Sequence, residues 1–274
     1  MTIQLLVTCD DCGLSEGINL TAARLHEQGL VTCASLMTNF SAVSHALELF
    51  RHYPSLELGV HLNLSDGFPV SALAPNSELI RADGQFRDRY VLFARGVFPS
   101  DSMIEQIRTE FRAQIDVLCH AGIRPAHLTT HCHFHVLPAL RELVYDLAEE
   151  YGVTWVRPYS HKATSTPYNL LIDKAAKQRP KEAFIIPDYL VTLRHWLDRS
   201  PDALLSELYS LNGTVEIVVH GGLMNDETFP ADVRYGPQDR YYETVYLEKV
   251  HRLMQAQPSS EIVIRPLGRA QGRA

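Results

Sequence analysis

The chain has 274 residues, 46% hydrophobic and 21% charged, an ordinary composition for a globular protein with one large core. Its formal net charge of -7, with no run of Lys or Arg long enough to track phosphates, argues against nucleic acid and membrane surfaces and for a neutral or weakly charged small partner. No basic-then-apolar leader and no membrane-length apolar stretch occurs, so a soluble, cytoplasmic chain is expected; the five cysteines (9, 12, 33, 119, 132) fit reduced thiols better than a disulfide framework.

In chain order, β-branched and apolar runs predict strands near 3–9, 31–37, 57–62, 126–131, 153–157, 214–220 and 261–265. Helical periodicity predicts helices over 15–28, 41–52, 101–121, 138–151, 202–211 and 239–256, with Ser15 capping the first and Pro138 opening the fourth. The alternation is that of βα units with parallel strands, and their number fits a closed or nearly closed barrel better than an open sheet, although periodicity alone does not decide. One domain over 1–274 is expected. Two stretches, 65–100 and 158–200, break the rhythm with Pro, Gly and polar residues; connections this long tend to shape binding sites. The tail 268–274 reads as frayed.

The polar clusters sit at the C-terminal ends of predicted strands, where parallel α/β folds place their sites. Asp10-Asp11 follows the first strand; a turn there can aim both carboxylates into one cleft, one for a cation and one for protons. The pair reads equally well as a turn and helix cap. Cys9 and Cys12 frame it as a CxxC, but two interior aspartates at a strand end disfavour a redox or zinc-thiolate role. His61 lies on a run otherwise suited to burial, where imidazole is more often a core residue than a ligand. The segment 127–135 holds His127, His131, His133 and His135, which in an extended strand would share one face. Such crowding suits a metal, a carboxylate or a substrate, with only one or two rings reaching a given ion. One carboxylate and two imidazoles would make an open three-ligand site, the arrangement of hydrolysis. His220, ending the apolar TVEIVV run, adds a proton donor, or else a core histidine before a glycine turn.

The residues from Cys9 to Ser15 (CDDCGLS) resemble the ADDFGLS opening of the YdjC/ChbG family of carbohydrate deacetylases. Gly29 to Met37, Gly59 to Leu64 and Pro125 to His135 resemble, in order, that family's GIVTSTSLM, GxHLNLT and PTHxDSHxHxH segments. The likeness is strong over 3–160 and thinner beyond, where His220 matches a late histidine and Arg240 to Glu243 an SRxxE stretch. The resemblance implies a distorted (β/α) TIM-like barrel that hydrolyses the N-acetyl group of a sugar such as a chitooligosaccharide. It implies one divalent metal on Asp11, His61 and His131, with Asp10 as general base and His220 as general acid. His133, His135, Arg157 and Asn63 are expected to contact substrate, Arg157 alternatively orienting Asp10. The ligand set suits Zn²⁺, tolerates Mn²⁺, Co²⁺ or Ni²⁺, and is less natural for Mg²⁺. Cys12, Thr129, Cys132 and Gly221 depart from the pattern; Thr129 replaces an aspartate that could have oriented an imidazole. Tyr90, Phe93, Trp155, Tyr159 and Tyr168 are candidates for stacking on sugar faces or for the core. The rival readings are another metallohydrolase (a phosphoesterase or amidohydrolase) and a non-catalytic metal or sugar binder. A homodimer is the base-rate expectation for self-association.

Overall fold

A strand covered on both faces reads as an unbroken apolar run, and IQLLVTC is such a run. In the computed structural model, which describes residues 3–157, 184–256 and 262–266, it becomes β1, Ile3–Cys12, buried along almost its whole length. The other described strands are β2 (Cys33–Leu36), β3 (Glu57–Leu62), β4 (His127–Thr130), β5 (Trp155–Val156), β6 (Tyr189–Thr192), β7 (Gly213–Val219) and β8 (Ile262–Ile264). Between them lie helices α1 (Glu16–Glu27), α2 (Val43–Phe50), α3 (Arg89–Gly96), α4 (Asp101–His120), α5 (Pro138–Glu150), α6 (Pro201–Tyr209) and α7 (Pro237–Ala256). Parallel pairing with helical connections makes this an α/β fold of the distorted (β/α)-barrel class that the resemblance implies. Among the described residues, no helix is long and apolar enough to cross a membrane.

The chain divides into two compact units, the first on 1–34, 44–57 and 187–274, the second on 35–43 and 58–186. In the first, β1 pairs in parallel with β7, from Ile3 opposite Gly213 to Cys9 opposite Val219, and with β8 on its other edge; β6 extends the far side of β7. In the second, β3 pairs with β4, setting His61 opposite Thr129, and β4 pairs with β5. These registers decide which polar residues end up side by side.

Local signals explain most boundaries. Ser15 accepts from the Ile18 amide and caps α1, Ser100 and Ser200 do the same for α4 and α6, and Pro138 occupies the first turn of α5, where its missing N–H costs nothing. Two elements lie in stretches that read as irregular. Helix α3, capped by Asp88, sits inside 65–100, and β6 is a short apolar piece inside 158–200. Most of 158–200, with Tyr159 and Tyr168, lies outside the described residues, as does the tail 268–274.

Candidate functional site

In the first unit, β1 runs past its apolar stretch through Asp10 and Asp11, both 1% exposed. Asp11 takes a left-handed φ of 62°, which breaks the strand's alternation at the carboxylate pair. Two ionisable side chains at this depth need partners. Arg240, also 1% exposed, donates from Nη2 to Asp11 Oδ2 at 2.7 Å, and from Nε to the Tyr235 carbonyl. The flanking cysteines are buried, and burial, reinforced by Cys9 and the aspartates, pushes the Cys12 thiol well above its ordinary range. A thiolate role for the CxxC is thereby disfavoured.

At the end of β7 the His220 amide donates to Glu243 Oε2 at 2.7 Å, while Nδ1 lies 3.2 and 3.3 Å from the two oxygens of that carboxylate. Tyr235 donates its hydroxyl to Glu243 Oε1 at 2.6 Å. Burial disfavours charge on His220, but Glu243, with smaller contributions from Asp11 and Asp10, more than offsets it and raises the imidazole's pKa. Burial and the Glu243 carboxylate likewise push the Tyr235 phenol up, so that it stays a donor.

In the second unit, the register of β3 on β4 brings His61 Nδ1 to 2.6 Å from Thr129 Oγ1. That hydroxyl has its own acceptors in Ser35 Oγ at 3.1 Å and the Val60 carbonyl at 3.4 Å. With Nδ1 engaged by that hydroxyl, a metal bond made by His61 would go through Nε2. The His131 ring stands edge-on to His61, centroids 5.4 Å apart.

The segment after β4 corrects the sequence reading. His131–Val136 is not an extended strand but a 3₁₀ turn in which Cys132 and His133 take φ of 53° and 55°, so the four histidines do not line one wall. His127 points to Ser35 Oγ and packs on Trp155, inside the strand layer. His135 is buried with Nδ1 on Thr130 Oγ1, and the rings of His133 and His135 remain neighbours. Asn63, expected at substrate, is fully buried: Nδ2 donates to Asn39 Oδ1 and the Asp66 carbonyl, and Oδ1 accepts from the amides of Ser65 and Asp66. Both ends of its amide build the turn that carries Asp66. Asp66 in turn places Oδ2 at 3.2 Å from His131 Nε2, and Asp66, His131 and Cys132 offer potential ligand atoms within 4.8 Å of one another. Arg157 is buried just past β5, its amide on the Leu128 carbonyl.

Sequence reasoning missed Asp66 and Tyr235, and had Glu243 only as the end of the SRxxE stretch, with no role assigned. Arg240, Glu243 and Thr244 lie on the buried stripe of α7 with Leu247 and Val250, and charged residues at core positions of an amphipathic helix were the available signal.

A family model described as YdjC-like protein matches residues 4–256. The chain belongs to the YdjC-like family. Among curated relatives, a carbohydrate deacetylase of Halalkalibacterium halodurans is 36% identical over 153 residues, 55% of this chain and 62% of that protein. One from Brevibacillus brevis is 39% identical over 152 residues, 55% and 58% of the two chains, and a chitooligosaccharide deacetylase of Enterobacter is 32% identical over 149 residues, 54% and 57%. The chain thus spans about three-fifths of the length of the curated relatives it matches. A crystal structure of an Enterococcus faecalis chain named for cellobiose-phosphate cleavage superposes with a TM-score of 0.74 at 20% identity, covering 96% of this chain and 97% of that one. That likeness speaks for the fold alone.

Proposed function

We propose that this YdjC-like chain removes the N-acetyl group of an N-acetylated sugar or oligosaccharide, using one divalent metal held by Asp11, His61 and His131. The observation that carries the reading is the 2.6 Å contact of His61 Nδ1 with Thr129 Oγ1: with Nδ1 engaged there, the ring would meet a metal through Nε2. A carboxylate and two imidazoles suit Zn²⁺, with Mn²⁺, Co²⁺ or Ni²⁺ as alternatives. Such an ion acidifies a water and polarises the acetyl carbonyl. The family match and the deacetylase names of the relatives point the same way.

An amide resists hydrolysis because its carbonyl is unreactive and its nitrogen leaves poorly, so protons must be moved on both sides of the bond. Asp10, neighbour of the proposed ligand Asp11, takes the proton of the attacking water. His220, whose protonated form Glu243 favours, gives a proton to the departing nitrogen, each transfer being worth roughly 10²–10⁴-fold. His133 and Arg157 are the groups we assign to the sugar; Asn63 acts instead through the loop it folds.

The test is acetate release from a panel of N-acetylated sugars by metal-loaded and chelator-treated protein. Release that stops on chelation and returns with Zn²⁺ is the expected result; metal-loaded protein that releases acetate from none of them would overturn the reading. Asp10→Asn should keep its metal and lose turnover, whereas His131→Ala should lose both. Full metal content in His131→Ala sinks the ligand assignment.

A further inference from the structure

Glu243 is a carboxylate with no solvent exposure, and a charge buried that deeply needs strong donors. It has them from two residues. Oε2 receives the His220 backbone amide, Oε1 receives the Tyr235 hydroxyl, and Nδ1 of His220 sits nearly equidistant from both oxygens. A bond to the amide alone would only tie the end of β7 to α7. The bonds at Nδ1 and from Tyr235 do more, because an ionised carboxylate only accepts and so keeps the hydrogen on Nδ1.

We infer that Glu243 is a positioning residue: with Tyr235 it fixes the tautomer and the aim of the His220 imidazole, so that proton exchange takes place at Nε2. The inference rests on the reading of His220 as general acid. In the step it serves, the C–N bond breaks, its electron pair stays on nitrogen, and that nitrogen takes the proton from Nε2. The acetyl group leaves as acetic acid with an oxygen from water, one of whose protons goes to Asp10 while the other stays on the acid until it ionises in solvent. Nδ1–H stays on Glu243 throughout. Within the first unit, the charged or titratable groups acting on His220 are Glu243, Asp11, Asp10 and Tyr235, the last with its ring edge-on at 5.5 Å. Tyr235 is itself pinned, with the Arg194 guanidinium 4.4 Å over its ring and Arg240 at 5.4 Å.

The test uses metal-loaded full chain, an N-acetylated sugar and an aryl acetate ester, whose phenolate leaves without a proton. Glu243→Gln should cut kcat on the sugar about 10²-fold with little change in KM, move the alkaline limb of the pH–rate profile to lower pH, and spare the ester. Glu243→Asp should recover part of the sugar activity. Equal loss on sugar and ester in Glu243→Gln means a structural role and overturns the inference. His220→Gln is the separate control: if it keeps full amide turnover, the acid assignment fails rather than the Glu243 contact. Independently of activity, ¹⁵N NMR of labelled protein reads the His220 tautomer and midpoint, identified by the signal lost in His220→Gln. The wild type should show Nδ1–H, and Glu243→Gln should lower the midpoint by about one pH unit, with a smaller fall in Tyr235→Phe. Unchanged tautomer and midpoint in both variants overturn the inference.

Discussion

Thr129 stands where the family pattern has an aspartate, and its hydroxyl lies 2.6 Å from His61 Nδ1 and 3.1 Å from Ser35 Oγ. A neutral acceptor orients the ring but adds less basicity to Nε2 than a carboxylate would. Thr129→Val preserves the β-branched shape at this buried position and should weaken metal binding about 10–100-fold, read by competition with a chromophoric chelator. Thr129→Asp should tighten it; equal affinities across the three proteins would mean that residue 129 does not orient the ligand. Asp11 shows the same economy of residue type. Asp11 holds φ of 62°, a region where Asp is among the few tolerated non-glycine residues at a cost of order 1–3 kcal/mol, and Arg240 ties down its Oδ2. Asp10, Asp11, His61 and His220 were legible as candidates because each is a polar residue in or at the end of an apolar run, while their roles came from the family resemblance. Asp66 and the role of Glu243 were not, because what makes them matter is a partner far away in sequence, and no local pattern encodes that pairing.

The elements around these residues are held by clamps whose worth can be read from single substitutions. Asp226 accepts from Ser15 Oγ at 2.6 Å, at the N-terminus of α1, and Thr228 Oγ1 accepts from the Glu16 amide, pinning the segment that leads to Tyr235. A Cβ at Gly17 would lie 2.3 Å from Asp226 Oδ2. In an unobstructed helix Gly→Ala gains roughly 0.5–1 kcal/mol, so the sign is diagnostic. Gly17→Ala should instead lower the unfolding free energy by about 1 kcal/mol, the usual worth of a lost cap, and speed amide exchange over 222–236. A stabilised Gly17→Ala would show that the clamp is soft.

A second clamp is Glu110 on α4, fully buried, accepting from the amides of Val70 and Ser71, from the Ser71 hydroxyl and from Gln114. Burial raises its pKa, and these bonds offset that only in part. With a folded value above the ordinary 4.5, its ionisation costs the fold: the advantage of wild type over Glu110→Gln is largest below 4.5 and shrinks as pH climbs through the raised value. Denaturant midpoints of both proteins across the acid range check this; a difference that grows with pH contradicts it. Helix α3 and strand β6 escaped sequence reading because each is a brief apolar piece within Pro- and Gly-punctuated chain, where only pairing with β7, in the case of β6, selects the conformation.

At the scale of the whole chain, the proposed ligands at residues 11, 61 and 131 would make metal binding a property of the folded state, since the unfolded chain holds them far apart. Binding to the native state alone adds RT ln(1 + [M]/Kd), about 2.7 kcal/mol when free metal is a hundredfold above Kd. For a chain of this size each kcal/mol is worth roughly 2–4 °C, so Zn²⁺ saturation should raise the melting temperature by about 5–10 °C over chelated protein, and further with each decade of metal. His131→Ala should melt at the same temperature with and without metal, and Asp10→Asn should keep the increment. A wild-type protein whose melting ignores both chelator and Zn²⁺ carries no metal on these residues, and the Asp66, His131 and Cys132 group offers a check on where metal goes if it binds elsewhere. Cys132→Ser should leave the increment intact if Asp11, His61 and His131 are the ligands and diminish it if the thiol takes part, because Zn²⁺ binds thiolate far better than hydroxyl.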